Sequence, residues 1–217
     1  GDDAIKLAFE RRPETAGEGI GVNFRVAKYS AVSEEDTRIV GDVVRSAAER
    51  YRASLLPVPI AFNEAESDLE RICTALRISA PEHLQQLPSP ADIIDQVAGC
   101  RIVVTGSYHA AVFALSQGIP AIGLAGSPYY RDKFGGLASQ FGAACQTVAL
   151  GESGLADRLT AAIDEAWRSA PESRQPLLDR AKAQIATGHE AYARLFEMVT
   201  NWSAASRSQS RTLVKHA

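Results

Sequence analysis

One histidine at the start of an apolar segment is the clearest candidate for chemistry. In TGSYHAAVFALSQGIP, His109 follows an apolar run typical of a buried strand, residues 101–105, and a second such run covers residues 120–124. Gly106 permits a tight turn and Ser107 is a good N-cap, so we predict a helix with His109 in its first turn. Unpaired backbone N–H groups and the helix dipole favour a phosphate or carboxylate there, which an imidazole can clamp or protonate. A histidine with a purely structural role at a helix end is the alternative.

Basic and aromatic residues follow two other predicted strands. Arg25 comes just after the apolar part of GVNFRVA, where it suits bidentate binding of a carboxylate or phosphate, or a surface ion pair. The loop SPYYRDKFGG contains Arg131 and Lys133, which could hold an anion. Its Tyr129 and Tyr130 could stack on a substrate ring. A solvated surface loop is the alternative.

Acidic and amide side chains supply further candidate contacts. Asp2 and Asp3 form an acidic pair in GDDAI and could contact an acceptor or cap a helix. Asn63 and Glu64 of NEAESD are candidate substrate contacts. The acids of this segment, Asp68 among them, are also favoured by the dipole of the helix that follows, whatever the function.

Alternating strand and helix patterns indicate how these residues are positioned. The central strands are apolar on both faces, which is typical of a parallel sheet covered by helices. We therefore predict an α/β fold with a doubly wound parallel sheet, which binds ligands at the carboxyl ends of its strands. The predicted strands are residues 19–27, 54–62, 82–87, 101–105, 120–124 and 145–150, and the main helices are 33–53, 65–77, 89–99, 153–169 and 174–202, the last with a bend near Gly188.

Composition limits the classes of function. The 217 residues carry a net charge of −3 without a strong basic block, which argues against nucleic acid as a partner. No apolar run approaches the ~20 residues of a membrane-spanning helix. We expect the three cysteines to be reduced core residues of a cytoplasmic protein, and the absence of Cys/His clusters predicts no metal site. The chain does not begin with methionine, so we expect a further segment before Gly1.

The chain resembles the C-terminal half of the polysaccharide pyruvyl transferase family. The resemblance implies a Rossmann-like domain of the GT-B C-terminal type with a long C-terminal helix. It also implies transfer of a pyruvyl unit from phosphoenolpyruvate to a sugar of a cell-surface polysaccharide, or of its lipid-linked precursor, as a ketal. The segments that carry the resemblance are GDDAI (Gly1–Ile5), GVNFRVA (Gly21–Ala27), VVTGSYHAAVFALSQGIPAIGL (Val103–Leu124) and YYRDKFGGL (Tyr129–Leu137).

The resemblance assigns roles to several of the candidate residues. His109 matches a histidine that the family uses in its donor site, and Ser107 stands where many relatives have an arginine. We expect His109 to be the catalytic acid or anion binder and Arg25 or Lys133 to replace that arginine. No cofactor or metal is implied beyond phosphoenolpyruvate as the donor substrate. The predicted donor contacts are Arg25, Gly106, Ser107, Tyr108 and Lys133, and the further substrate contacts are Asp2, Asp3, Asn63, Glu64, Tyr129, Tyr130 and Arg131.

The resemblance also suggests how the chain is divided and what it meets. Residues 1–18 would be an interdomain helix or linker from a preceding N-terminal domain, and 19–202 the transferase domain. The Ser/Arg-rich composition of residues 203–217 predicts a disordered tail. The partners would be a small-molecule donor and a saccharide acceptor, with peripheral contact to the inner face of the membrane through a lipid-linked acceptor. The sequence predicts no particular oligomeric state.

Two other functions stay open from the sequence. A nucleotide-sugar glycosyltransferase has the same fold, but Thr105 and Phe113 occupy the positions of two glutamates used by many retaining members. A non-catalytic anion-binding or scaffold domain is the other alternative, which Ser107 leaves open.

Overall fold

Five parallel strands form the central sheet, with helices on both of its faces. The computed structural model describes residues 2–24, 33–63, 66–86 and 88–214. The strands are β1 (Gly19–Asn23), β2 (Leu55–Pro57), β3 (Phe62–Asn63), β4 (Glu66–Ser67), β5 (Cys100–Thr105), β6 (Ala121–Ala125) and β7 (Cys145–Ala149). The main sheet has the order β2-β1-β5-β6-β7, and β3 pairs with β4 in a short antiparallel ribbon.

Strands and helices alternate as predicted, with three differences. The first two strands are shorter than predicted, and the strand predicted at residues 82–87 is wrong, because residues 82–85 form one turn of helix that begins after Pro81. The two helices predicted at residues 153–169 and 174–202 form a single helix. The helices are α1 (Ala4–Glu10), α2 (Glu34–Tyr51), α3 (Asp68–Leu76), α4 (Glu82–Gln85), α5 (Pro90–Ala98), α6 (Tyr108–Ser116), α7 (Pro128–Phe141) and α8 (Leu155–Val214).

Two hydrophobic cores lie on opposite faces of the sheet. One contains buried side chains of α1, α5, α6 and α7, and the other those of α2 and the first part of α8. Because β5 and β6 lie between these layers, nearly all of their side chains are buried, as their unbroken apolar sequences predicted. The predicted doubly wound α/β fold is confirmed. The domain boundaries and the GT-B assignment stay predictions.

Local sequence signals fix the ends of three helices. Ser33 and Ser89 each form a capping box, in which the serine hydroxyl accepts a bond from the third backbone N–H of α2 or α5. After α6, Gly118 adopts a φ of +79°, a left-handed conformation that glycine tolerates without a steric penalty. These ends set the lengths of the connections that bring the strands side by side.

Helix α8 continues through Pro171 and Pro176, whereas the sequence predicted a break between residues 169 and 174. Pro171 has no N–H to donate to the carbonyl of Trp167, one turn earlier. Arg101 of β5 uses that oxygen instead, because its Nε donates to it over 3.1 Å while the guanidinium lies 4.9 Å from the Trp167 ring centroid. The lost helical bond is thereby replaced by one that fastens α8 to the centre of the sheet.

The other expectations about the chain concern cysteines and membranes. Cys73, Cys100 and Cys145 are buried and free, as predicted. Among the residues that the structure describes, no helix combines the length and the apolar character that a membrane span needs.

The order of the strands creates a switch point between β1 and β5. The chain adds β2 on one side of β1 and then returns to add β5 on the other side. Connections therefore leave the carboxyl ends of β1 and β5 in opposite directions and open a crevice there. Asn23 and Thr105, the last residues of the two strands, are direct neighbours in the register.

Candidate functional site

The turn between β5 and α6 lies beside this crevice. Ser107 occupies the N-cap position as predicted, but its side chain makes no capping hydrogen bond, which corrects that expectation. Thr105 holds the turn instead, because its Oγ1 accepts a bond from the Ser107 backbone N–H over 2.8 Å. The N–H of Gly106 donates to the Asn23 carbonyl over 3.0 Å. The beginning of α6 is thus fastened to both strands of the switch point.

His109 is the second residue of α6, in the first turn as predicted. Its side chain is 55% exposed, and its Nε2 lies 3.9 Å from Oδ2 of Asp2. The other carboxylate oxygen of Asp2 accepts a bond from the Ala4 N–H over 2.9 Å, so Asp2 also holds the first turn of α1. The ring of Tyr108 contacts His109 edge-on at a centroid distance of 5.6 Å. This arrangement leaves the imidazole accessible to a ligand while a carboxylate lies close to it.

A lysine from the next connection lies beside the same aromatic ring. Lys133, on α7, places its Nζ 4.8 Å from the ring centroid of Tyr108 and 5.5 Å from that of Tyr129. Aromatic faces attract cations, so the two rings hold the ammonium group near the start of α6. Burial raises the pKa of Tyr108, and the charge of Asp2 raises it further. The structure therefore brings together five predicted residues: Asp2, Tyr108, His109, Tyr129 and Lys133.

Three predicted contacts lie elsewhere or have a different environment. Tyr130 is only 6% exposed and packs against Phe134 within the core. The Oδ2 of Asp3 accepts a hydrogen bond from the Tyr192 hydroxyl over 2.6 Å, which ties α1 to α8. Arg131 is exposed on the first turn of α7. Their predicted roles in substrate binding stay untested.

Three further predicted residues are not described, or only in part. Arg25 and Glu64 lie outside the described residues. Asn63 is part of β3, and the described structure does not include its side chain.

A buried polar cluster at the switch point was missed from the sequence. The carboxylate of Asp68 is 3% exposed and accepts a bond from the Asn23 side-chain amide over 3.0 Å. The backbone N–H groups of Ile60 and Ala61 also donate to it, over 2.9 and 3.0 Å. The available signal was Asn23 itself, a fully buried polar residue at the end of an apolar strand.

A charged groove of about 610 Å³ lies between α2 and α3. Two of its arginines are paired on α2 itself, Arg38 with Glu35 and Asp42, and Arg45 with Asp42. Among the described residues, no predicted site residue lines it. Within the described parts of the chain, no three His, Cys, Asp or Glu side chains are placed to hold a metal ion.

Comparison with known families finds a match that includes the segment around His109. Residues 26–128 match the family model of the polysaccharide pyruvyl transferases. The pyruvyl transferase match covers a little under half of the chain and includes β5, the turn and α6. It confirms the expected resemblance to a family of transferases. Asp2 and Lys133 lie outside the matched residues. No curated protein matches the chain.

Proposed function

We propose that the chain transfers a pyruvyl group from phosphoenolpyruvate to a sugar of a polysaccharide or of its lipid-linked precursor. The observation that carries the proposal is the position of His109. It lies on the first turn of a helix, at the carboxyl edge of the sheet beside a switch point, inside the matched part of the chain. Open α/β sheets bind their ligands at this edge.

The groups around His109 suit a small, highly charged donor. Phosphoenolpyruvate carries a phosphate and a carboxylate on three carbon atoms. The first backbone N–H groups of α6 and its dipole favour one anionic group, and Lys133 supplies a compact positive charge for the other. Gly106 has no side chain that would obstruct the approach to the helix. Arg25 is the proposed second cation.

The reaction requires one proton on carbon and the loss of phosphate. Two sugar hydroxyls add to the second carbon of phosphoenolpyruvate, its methylene becomes a methyl group, and the bond to phosphate breaks. One hydroxyl proton is accounted for by the new methyl group and the other leaves with the phosphate. We assign His109 to protonation of the methylene carbon or to binding of the anion, because imidazole can do either near neutral pH. The group that removes the hydroxyl proton is left unassigned.

Ligand-dependent stability tests the donor site without requiring turnover. Phosphoenolpyruvate at about one hundred times its dissociation constant should stabilise the chain by ~2.7 kcal/mol, which is a rise of roughly 5–10 °C in Tm for a domain of this size. His109→Ala should abolish the rise. His189→Ala, which removes an exposed histidine of α8, is the matched control and should keep it.

Other ligands separate the proposal from its alternatives. The places of the two glutamates of retaining glycosyltransferases hold Thr105, which is buried in the hydrogen bonds of the turn, and Phe113, which is 7% exposed. Neither offers a carboxylate for a sugar. A wild-type chain stabilised by a nucleotide sugar but not by millimolar phosphoenolpyruvate would overturn the proposal, and so would one that responds to neither.

A further inference from the structure

One oxygen of Asp68 gathers three hydrogen-bond donors from two strand ends. The donors are the backbone N–H groups of Ile60 and Ala61, just after β2, and the side-chain amide of Asn23, the last residue of β1. A second bond from the same amide, to the Val58 carbonyl at 2.9 Å, joins these segments again. Asp68 therefore fixes the carboxyl ends of β1 and β2 relative to each other.

Asn23 extends this network to the start of α6. Its Oδ1 lies 3.4 Å from Thr105 Oγ1, and the same hydroxyl lies 3.2 Å from the Ser107 carbonyl oxygen. Thr105 Oγ1 also accepts the Ser107 N–H. Displacement of Asn23 would thus also displace Thr105 and the turn that precedes His109. The path from Asp68 to that turn consists of three side chains in direct contact.

Asp68 places a carboxylate in the protein interior, which costs free energy of folding. Removing a carboxylate from water costs several kcal/mol, and apolar replacements of buried charges are often as stable or more so. Asp36, the other described buried acid, has a different role, because its side chain accepts bonds in the capping box of α2 and from the N–H of Gly151, after β7. The bonds of Asp68 instead join separate strands beside the crevice. Acidic side chains are normally exposed, and a buried one beside a crevice of this kind is typical of a functional site.

We infer that Asp68 is a positioning residue of the donor site. It holds the ends of β1, β2 and β5 in the arrangement that presents the first turn of α6, and His109 on it, to the donor. This inference rests on the proposed function for the identity of the ligand, but the network itself can be tested without a ligand.

Two substitutions interrupt the network, and a third serves as control. Asp68→Asn keeps the shape but places an amide against two backbone N–H donors, and Thr105→Val removes the hydroxyl that holds the turn. Asp36→Asn makes the same chemical change at the other buried acid. Amide hydrogen exchange over residues 105–109 is measured by mass spectrometry, each variant being compared at the same interval below its own Tm. Calorimetric titration with phosphoenolpyruvate gives the dissociation constants.

The outcomes distinguish the positioning role of Asp68 from the identity of the donor as phosphoenolpyruvate. We expect faster exchange over residues 105–109 in Asp68→Asn and Thr105→Val but not in Asp36→Asn, with phosphoenolpyruvate binding weakened ~10-fold in the first two variants. The same exchange pattern in a protein that does not bind phosphoenolpyruvate would support the positioning role and overturn the proposed donor. Unchanged exchange in Asp68→Asn, or an equal change in Asp36→Asn, would overturn the positioning role even where phosphoenolpyruvate binds.

Discussion

Gly123, in the middle of β6, lies directly beneath an aromatic ring of α7. A Cβ atom added there would be 2.4 Å from Cγ of Phe134 and 2.5 Å from its Cδ1, where ordinary contacts are 3.4 Å or more. Phe134 is fully buried among other core side chains, so its ring cannot move out into solvent. Gly123→Ala must therefore push the ring, and α7 with it, away from the sheet.

The size of this effect follows from the overlap. Inserting one methyl group into a packed core costs ~1–3 kcal/mol, and the smaller freedom of the unfolded chain returns ~0.4–1 kcal/mol. We expect a net loss of about 1–2 kcal/mol in the free energy of unfolding. Because Lys133 precedes Phe134 on α7, the displacement should also reduce the increase in Tm caused by phosphoenolpyruvate.

Urea denaturation monitored by circular dichroism measures the loss, and α7 itself supplies the controls. A Cβ added at Gly135 or Gly136 meets nothing within 4 Å, so alanine there should stabilise the helix by ~0.5–1 kcal/mol. Combining Gly123→Ala with Phe134→Leu should cost less than the sum of the two changes, because the smaller side chain relieves the overlap. Additive costs, or a Gly123→Ala protein as stable as the wild type, would refute the reasoning.

Further predictions concern a helix cap, the thiols and the lysine. Ser89→Ala removes the capping box of α5 and should lower the free energy of unfolding by ~1 kcal/mol in the same urea assay. Burial raises the pKa of the Cys100 thiol, and it raises the pKa of the Cys145 thiol to about 12. A thiol reagent at pH 8 should therefore modify both only after unfolding. Unfolded thiols lose their protons above pH 9 while the buried ones keep theirs, so stability should fall as the pH rises from 9 towards 12; pH-dependent unfolding curves check this. Lys133→Gln should reduce the increase in Tm with phosphoenolpyruvate but leave the Tm of the free protein nearly unchanged, because its ammonium group is exposed.

The fold was predictable where the signals are local. A serine followed three residues later by an aspartate determined the start of α2 and of α5, and runs of apolar residues marked β5 and β6. The continuity of α8 was not predictable. Pro171 normally ends a helix, and the donor that satisfies the carbonyl it leaves unpaired, Arg101, is 66 residues away in the sequence.

The candidate site was likewise predictable only where its signals are local. The place of His109 follows from the turn before it and from the rule that ligands bind at strand ends. The capping role expected of Ser107 failed because Thr105, two residues earlier, already bonds the backbone of the turn. The role of Asp68 depends on partners in other strands, and the dipole of α3 is a sufficient local reason for an acid at that position.

The pairing of β1 with β5 has a consequence for how the protein is made. Asn23 and Thr105 are 82 residues apart in the chain, so a large loop must close before the crevice exists. During synthesis, β1 has only β2 available as a partner until β5 emerges, and its apolar free edge stays open for pairing with other chains. This long-range closure, rather than the formation of any helix, should limit the folding rate. The residues that would bind the donor therefore come together late, after most of the matched segment has been synthesised.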